Sequence, residues 1–194
     1  FSPRLRHRAE FGGMLNELVA GVDLIRWNRD TTSGFSAAQA EQDSKAFYLR
    51  DEIRWSAAHN GRLAAGVRRE SFDKETNDPL GFPPLADRSK QSQTAWEVQG
   101  SQDVAPLLNV HAKAGRSYRV PNWDENAFRS SVSPLKIQTS HDLELGAAYG
   151  ADSAKVGVRV FRHAIDDEIF FDPTIGFGVN TNLDPTRREG IEID

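Results

Sequence analysis

The sequence predicts an all-β chain, an antiparallel up-and-down meander of about nine strands, on three observations. Apolar and polar residues alternate with a period of two: Leu18, Ala20, Val22 and Leu24 interleave with Val19, Gly21 and Asp23; Leu108, Val110, Ala112 and Ala114 with Asn109, His111, Lys113 and Gly115; Val156, Val158 and Val160 with Lys155, Gly157 and Arg159. These segments, about ten residues each, end in turn signals. The connections alternate short and long, the pattern of a transmembrane β-barrel with short turns at one membrane surface and long loops at the other.

Composition bounds the alternatives. The 194 residues are 38% hydrophobic, and no stretch approaches the roughly eighteen apolar residues of a spanning helix. That excludes a helical membrane bundle but not a barrel, whose strands turn half their side chains to water. The net charge of -4, with no basic block, argues against nucleic acid. There are no cysteines, which suits periplasm, outer membrane and cytosol alike. The chain opens Phe1-Ser2-Pro3-Arg4, without an initiator methionine or apolar leader, and stops at Ile191-Glu192-Ile193-Asp194 in a strand-like segment. The expectation is a fragment whose targeting signal is absent or lies outside it.

The predicted strands run Leu5 to Leu15, Glu17 to Asp30, Ser44 to Ala57, Gly61 to Lys74, Ser92 to Asp103, Leu107 to Val120, Ile137 to Tyr149, Ala154 to Ile165 and Arg187 to Asp194. Short turns are expected at Leu15-Asn16-Glu17, Ala58-His59-Asn60-Gly61, Val104-Ala105-Pro106 and Gly150-Ala151-Asp152-Ser153, with Asn60-Gly61 the strongest hairpin signal. Long polar loops are expected at Asn28 to Asp43, Asp73 to Gln91, Pro121 to Lys136 and Asp166 to Thr186. With short turns at the periplasm, even-numbered strands rise outward and odd-numbered ones descend.

This direction predicts which way the apolar face looks. Phe11, Trp55 and Tyr149 share the apolar parity of three descending strands just before short turns, where an interfacial aromatic girdle belongs. Each full rising strand carries an arginine on its apolar parity, Arg26, Arg69, Arg116 and Arg162. They sit roughly nine or ten residues past a short turn, about 24 Å up a tilted strand and so at the outer rim of an apolar band of about 25 Å. An outward arginine costs about 2–4 kcal/mol at the bilayer midplane and about 0–1 near an interface, so the rim is where they are tolerated, facing headgroup phosphates. On a soluble sheet the same arginines would cost nothing. Asp51 interrupts the apolar set of Phe47, Leu49, Ile53 and Trp55, and a β-bulge is expected to turn it inward.

The opposite parity then lines a lumen, with Arg6, Arg8, Glu10, Asp23, Arg50, Glu52, Arg54, Arg68, Glu70, Glu97, His111, Lys113, Arg119, Asp142, Glu144, Arg159, His163 and Glu192. Both signs are interspersed, as cross-strand pairing or a polar occupant requires, and no single-sign ring appears. Gly21, Gly66, Gly115, Gly146, Gly157 and Gly190 share this parity and leave room close to the wall. Catalytic patterns are weak. His141 alternates away from Asp142 and Glu144, Asp166-Asp167-Glu168 reads as a solvated loop, and Ser117 lies about 20 Å along the strand from His111, too far for a nucleophile and its base. No catalytic residue, metal site or cofactor is expected.

Three ordered elements resemble the β-barrel domain of TonB-dependent outer-membrane receptors. Tyr118-Arg119-Val120-Pro121 with Asp124-Glu125 is similar to the family's Phe/Tyr-Arg-x-Pro element, and Leu135-Lys136 with Ser140-His141-Asp142-Leu143-Glu144-Leu145-Gly146 to its Lys-Pro-Glu-x-Ser-x-x-x-Glu-x-Gly segment, without the Pro-Glu. Asn182 through Gly190-Ile191-Glu192 resembles its Asn-x-x-x-x-x-x-x-Gly-x-Glu strand. Leu18-Val19-Ala20-Gly21-Val22-Asp23, Phe47-Tyr48-Leu49-Arg50-Asp51-Glu52 and Ala64-Ala65-Gly66-Val67-Arg68 agree more loosely.

The resemblance implies that residues 1–194 are a partial segment of a 22-stranded transmembrane barrel in the outer membrane of a Gram-negative bacterium, lacking the plug domain and closing strands. It implies TonB-energised uptake of a scarce large ligand, such as a ferric siderophore, another metal chelate or cobalamin, and not an enzyme. Implied partners are membrane lipid and lipopolysaccharide, the N-terminal plug, and TonB through a region outside this chain. Inner-facing Glu70, Arg119 and His163, near the outer rim, are the candidate ligand contacts, set against the more ordinary reading that they only pair with neighbours. Two alternatives stay open: a passive porin-like channel, and a soluble β-rich binding or enzyme domain. An isolated segment would expose strand edges and tend to pair or aggregate.

Overall fold

The computed structural model describes residues 1–34, 36–55, 59–81, 84–131, 133–151 and 154–194. Its elements are β1 (Arg4–Phe11), β2 (Met14–Ser33), β3 (Ser36–Trp55), β4 (Gly61–Asp78), β5 (Leu85–Ala105), β6 (Leu108–Arg119), α1 (Trp123–Ala127), β7 (Gln138–Ala151), β8 (Ala154–Asp166), β9 (Ile169–Asp172), β10 (Val179–Asn182) and β11 (Thr186–Ile193). Strands β1 to β8 follow one another in a single antiparallel sheet that β11 completes as the ninth strand, beside β8, while β9 and β10 form a separate hairpin. The predicted nine-strand meander is present, open at both lateral edges. No helix among the described residues is long and apolar enough to cross a membrane, which leaves a crossing by strands untouched.

The alternation survives as two faces. On β3, Lys45, Phe47 and Leu49 are exposed, while Ser44 and Ala46 on the opposite parity are buried. The register carries this parity across the sheet: Val22 pairs with Phe47, Phe47 with Arg69, Val67 with Trp96, Val98 with Ala114 and Ala114 with Leu143. Phe11, Trp55 and Tyr149 stand on the apolar face at the ends of β1, β3 and β7.

The turns needed correction. The first hairpin closes at Gly12-Gly13, not at Leu15-Asn16-Glu17: both glycines have positive φ (+56° and +77°), and Phe11 pairs with Met14. Two consecutive left-handed residues make a tight turn that matches strand twist, and only glycine adopts them without strain. Leu15 therefore lies within β2, paired with Glu10. No bulge occurs at Asp51, which keeps regular register with Leu18 and Ala65 on the apolar parity and accepts a hydrogen bond from Asn16 at 2.6 Å. A polar neighbour on the same face satisfies it more cheaply than breaking the ladder. The register shift falls instead between Asp103 and Ala105, before a turn in which Leu107 has φ +65°. Ala58 and Asp152-Ser153, parts of two other predicted turns, lie outside the described residues.

Two of the predicted long loops are mostly strand. β2 and β3 stay paired to Ser33 and Ser36, and β4 and β5 to Asp78 and Leu85. At 20 and 21 residues, β2 and β5 are about twice the nine to eleven residues of a transmembrane β-strand, and with β3 and β4 their upper halves extend as a blade past the shorter β1 and β6. The other two long connections fold against each other. The Asn180 amide donates to Phe128 O at 2.6 Å, the Ser130 amide to Asn180 O at 2.8 Å, and the Lys136 amide to Asn182 Oδ1 at 2.8 Å. Of the buried apolar side chains, Ala38 and Ala40 lie on the blade and Phe72, Leu135, Ile137 and Ile165 near the upper strand ends, while Ala46 and Ala64 are buried lower on β3 and β4.

Candidate functional site

The inward face of the wall is a mosaic of paired charges. Near its lower end Glu52, whose side chain is 4% exposed, accepts from Arg50 and Arg54 at 2.6 Å and from Arg62 at 2.9 Å. Further up, a basin of about 660 Å³ opens among Arg50, Arg68, Glu97, Lys113, Asp142 and His163. Lys113 pairs with Glu97 at 2.7 Å, His111 Nε2 lies 3.2 Å from Glu144, and Arg159 bridges Glu144 at 3.3 Å and Glu192 at 2.8 Å. Alternating parity brings these side chains together, because cross-strand neighbours on one face stand about 4.5–5.5 Å apart. No group of three or more carboxylate or imidazole side chains among the described residues could hold a metal ion.

The inner glycines do something other than the sequence suggested. A Cβ at Gly21 would fall 2.3 Å from the Tyr48 hydroxyl, one at Gly146 2.3 Å from the His111 ring, and one at Gly190 2.7 Å from the Phe161 ring. At these three positions the room is already taken by a side chain of the neighbouring strand.

The three candidate ligand contacts fall into separate clusters. Glu70 is buried, accepting from Ser44 Oγ, from the Tyr118 hydroxyl at 2.5 Å and from Arg68 Nε at 3.0 Å, while Arg68 also binds Asp23. Tyr118 packs edge-on against Phe72, with centroids 5.9 Å apart at 76°. Strict alternation would put Tyr118 on the outer face with Arg116. β6, however, stops pairing with β5 at Arg116 while continuing with β7 to Arg119, and this freed end lets Tyr118 reach Glu70. His163 lines the basin, with Nδ1 2.6 Å from Asp142 Oδ1 and its ring 5.0 Å from Phe161. Arg119 is exposed and binds Glu125, the residue that closes the capping box of α1 with Asn122.

Sequence reasoning missed how the connection after β6 is held. Lys74 Nζ donates to Pro121 O at 2.6 Å, Arg29 pairs with Asp124 at 3.1 Å and lies 4.8 Å over the Trp123 ring, and Arg129 pairs with Asp87 at 2.7 Å. Burial pushes the Lys74 ammonium down to about 8, with Glu125 nearby pulling the other way. These partners are distant in sequence, and no local pattern announces them.

The four arginines sit on the outward parity and are paired within the wall. Arg26 binds Asp43 at 2.7 and 3.0 Å, Arg69 donates to Ser92 at 2.7 Å and Thr94 at 2.8 Å, Arg162 approaches Glu189 at 3.6 Å, and Arg116 donates to Thr94 O and to Gln93 at 3.0 Å.

Comparison with known proteins agrees with this geometry. A family model described as TonB dependent receptor-like, beta-barrel, matches residues 2–194. The chain belongs to the TonB-dependent receptor β-barrel family. A curated relative, the vitamin B12 transporter BtuB of Photobacterium profundum, is 23% identical over 188 residues, which is 91% of this chain. Among solved structures, the ferric citrate transporter FecA superposes with a TM-score of 0.75 at 15% identity, covering 99% of this chain and 30% of that one. The ferric-catecholate import receptor Fiu of E. coli K12 gives 0.72 at 16%, covering 99% and 34%. These likenesses place the fold: the open meander corresponds to part of a receptor barrel. The chain spans 28% of the curated relative's length.

Proposed function

We propose that this chain is part of the wall of an active outer-membrane receptor in a Gram-negative bacterium, taking up a scarce large ligand such as a ferric siderophore or cobalamin. Its lumen is closed by an N-terminal plug, and TonB supplies the energy. The observation that carries the proposal is a family match over residues 2–194 on a single-layer sheet whose charges fill one face while its apolar side chains stand bare on the other. Bare apolar surface of this extent is a liability in water and an asset against lipid. Relatives named for vitamin B12, ferric citrate and ferric catecholate support the ligand class.

The role is transport, not catalysis. Ligand arrives through the blade and its packed loops. His163, facing the basin, is the readiest of the three candidate contacts, while Glu70 and Arg119 reach a ligand by exchanging Tyr118 and Glu125 for it. The test is uptake of a labelled ferric siderophore or cobalamin by cells with the intact gene, without it, and with it in a strain lacking TonB. Loss in both deletions supports the reading. Uptake independent of TonB, with steady conductance of the purified protein in bilayers, would replace it with a passive channel.

A further inference from the structure

We propose that the ligand of this receptor is a large chelate without net negative charge, presenting an extended apolar surface to aromatic side chains on the connections after β6 and β8. The inference rests on the receptor reading above and narrows its ligand class. Phe128 of the first connection and Phe170, Phe171, Ile175 and Phe177 of the second all stand exposed, from 45% at Phe170 to 109% at Phe177. They belong to the upper layer, above the stretch of wall that faces lipid on that reading, and apolar side chains gathered in water mark a binding surface.

The patch is held in a fixed shape. Asn180 ties the β9–β10 hairpin to the first connection, its amide donating to Phe128 O at 2.6 Å and its side chain to Glu125 O at 3.2 Å. At the hairpin tip Asp172 Oδ1 accepts from the Thr174 amide at 2.8 Å and hydroxyl at 2.6 Å, and the Gly178 amide donates to Ile175 O at 2.9 Å. Gly176 and Gly178 hold positive φ, +57° and +93°. Phe171 lies over Gly178, where a Cβ would fall 2.2 Å from its ring. A surface ordered beforehand spends little of its affinity on ordering itself.

Charge decides what fits there. Residues 167–185 carry Asp167, Glu168, Asp172 and Asp184 and no lysine or arginine. The cations around them are engaged: Lys136 with Asp167 at 3.0 Å, Arg188 with Glu168 at 2.5 Å, Arg29 with Asp124 at 3.1 Å, Arg129 with Asp87 at 2.7 Å, and Arg119 with Glu125. Lys74 is turned to the Pro121 carbonyl. The basin repeats the pattern, with Arg50 matched by Glu52, Arg68 by Asp23 and Glu70, and Lys113 by Glu97. An anionic chelate must displace a carboxylate to reach any of these guanidinium or ammonium groups except Lys74, and it meets Asp172 and Asp184 beside the aromatic rings, where like charges cost affinity. An uncharged chelate with an apolar face disturbs none of these pairs and gains the rings.

The test uses the intact receptor that contains this segment, purified in detergent, and four probes: cyanocobalamin and the ferric trihydroxamate ferrichrome, both uncharged, and ferric dicitrate and a ferric tricatecholate, both anionic. One uncharged probe should bind at least about tenfold more tightly than either anion. Ile175→Ser/Phe177→Ser changes only exposed side chains at the hairpin tip and should weaken that probe about tenfold, while Phe177→Tyr retains it. Asp172→Asn/Asp184→Asn should leave the uncharged probe unchanged and strengthen both anions. An anion bound as tightly as the better uncharged probe, no binding of either uncharged probe, or indifference to the serine variant would overturn the inference. Uptake by cells separates it from the broader reading: TonB-dependent uptake of an anionic probe alone leaves the receptor standing and this inference fallen, whereas uptake of no probe in a TonB-dependent manner removes both.

Discussion

Strand β3 changes character along its length. In its lower half Phe47 and Leu49 point outward and lie bare while inward Ala46 and Glu52 are buried within the wall itself, whereas in its upper half inward Ala38 and Ala40 are buried under a second layer, Ala40 in a cleft shared with Trp123 and Pro134. Among the described residues nothing packs on the apolar side of the lower wall, so its stability comes from the ladder, from paired inner charges and, on the reading proposed above, from lipid. The upper blade has a second layer, built from the connections after β6 and β8, and is held as a water-soluble protein is. One strand can serve both regimes because its two faces are addressed separately, residue by residue.

The largest effect that would break this contrast is in the upper layer. Phe72, 6% exposed, packs edge-on against Tyr118. Phe72→Ala should cost about 3–5 kcal/mol in denaturant unfolding of the intact receptor and leave Tyr118 without its support. An effect below about one kcal/mol would mean that the Phe72–Tyr118 pair contributes nothing to the upper wall. For the lower wall, Leu145→Arg places a charge at a mid-strand position that is 59% exposed. It should cost about 2–4 kcal/mol if that face meets the bilayer midplane and almost nothing if it meets water. Unfolding from vesicles measures the difference, and Gln99→Arg on the inward parity is the matched control.

The lower wall was the more legible of the two. Strand number, partner order, the apolar parity and the placement of Phe11, Trp55 and Tyr149 on the apolar face near strand ends follow from a period of two, which is a local signal. Legibility failed where a neighbour decides. Asp51 needed Asn16 across the pair, Gly21 made room for Tyr48, and the predicted loops at 28–43 and 73–91 are polar because they stand in water, yet they continue as strand because each arm pairs with the other. At the candidate site, the inner placement of Glu70 and His163 was visible in alternation. The seat of Tyr118, set by where β6 leaves β5, was not.

The contact between the two layers should strengthen, not loosen, as pH rises. Lys74 holds Pro121 from the part of β4 above Arg69, and burial lowers its proton affinity to about 8 from an ordinary 10.5. Between those values the unfolded chain binds the proton and the folded one does not, so folding gains stability with rising pH across that window. A neutral amine still donates to a carbonyl, so the hydrogen bond persists. Because the side chain keeps some solvent, the gain is about 1 kcal/mol, discounted from the full shift. Hydrogen exchange at residues 121–131 should slow between pH 8 and 10 relative to Lys74→Met, after correction for intrinsic rates, and faster exchange would show that the cation itself clamps the layer.

The smallest effect separates an anchored connection from one that merely rests on the blade. Asn122 caps α1, accepting from the Glu125 amide at 2.8 Å, while Glu125 accepts from the Asn122 amide at 2.8 Å and also receives Arg119. Asn122→Ala should cost about 1 kcal/mol, because the helix is a single turn and its first amides lose their acceptor. If the cap also fixes Glu125 for Arg119, then Arg119→Gln and Asn122→Ala together should cost less than the sum of the two alone, since both act on one carboxylate. Strict additivity in the double-mutant cycle would show that Arg119 gains nothing from the cap and is free to turn to a ligand.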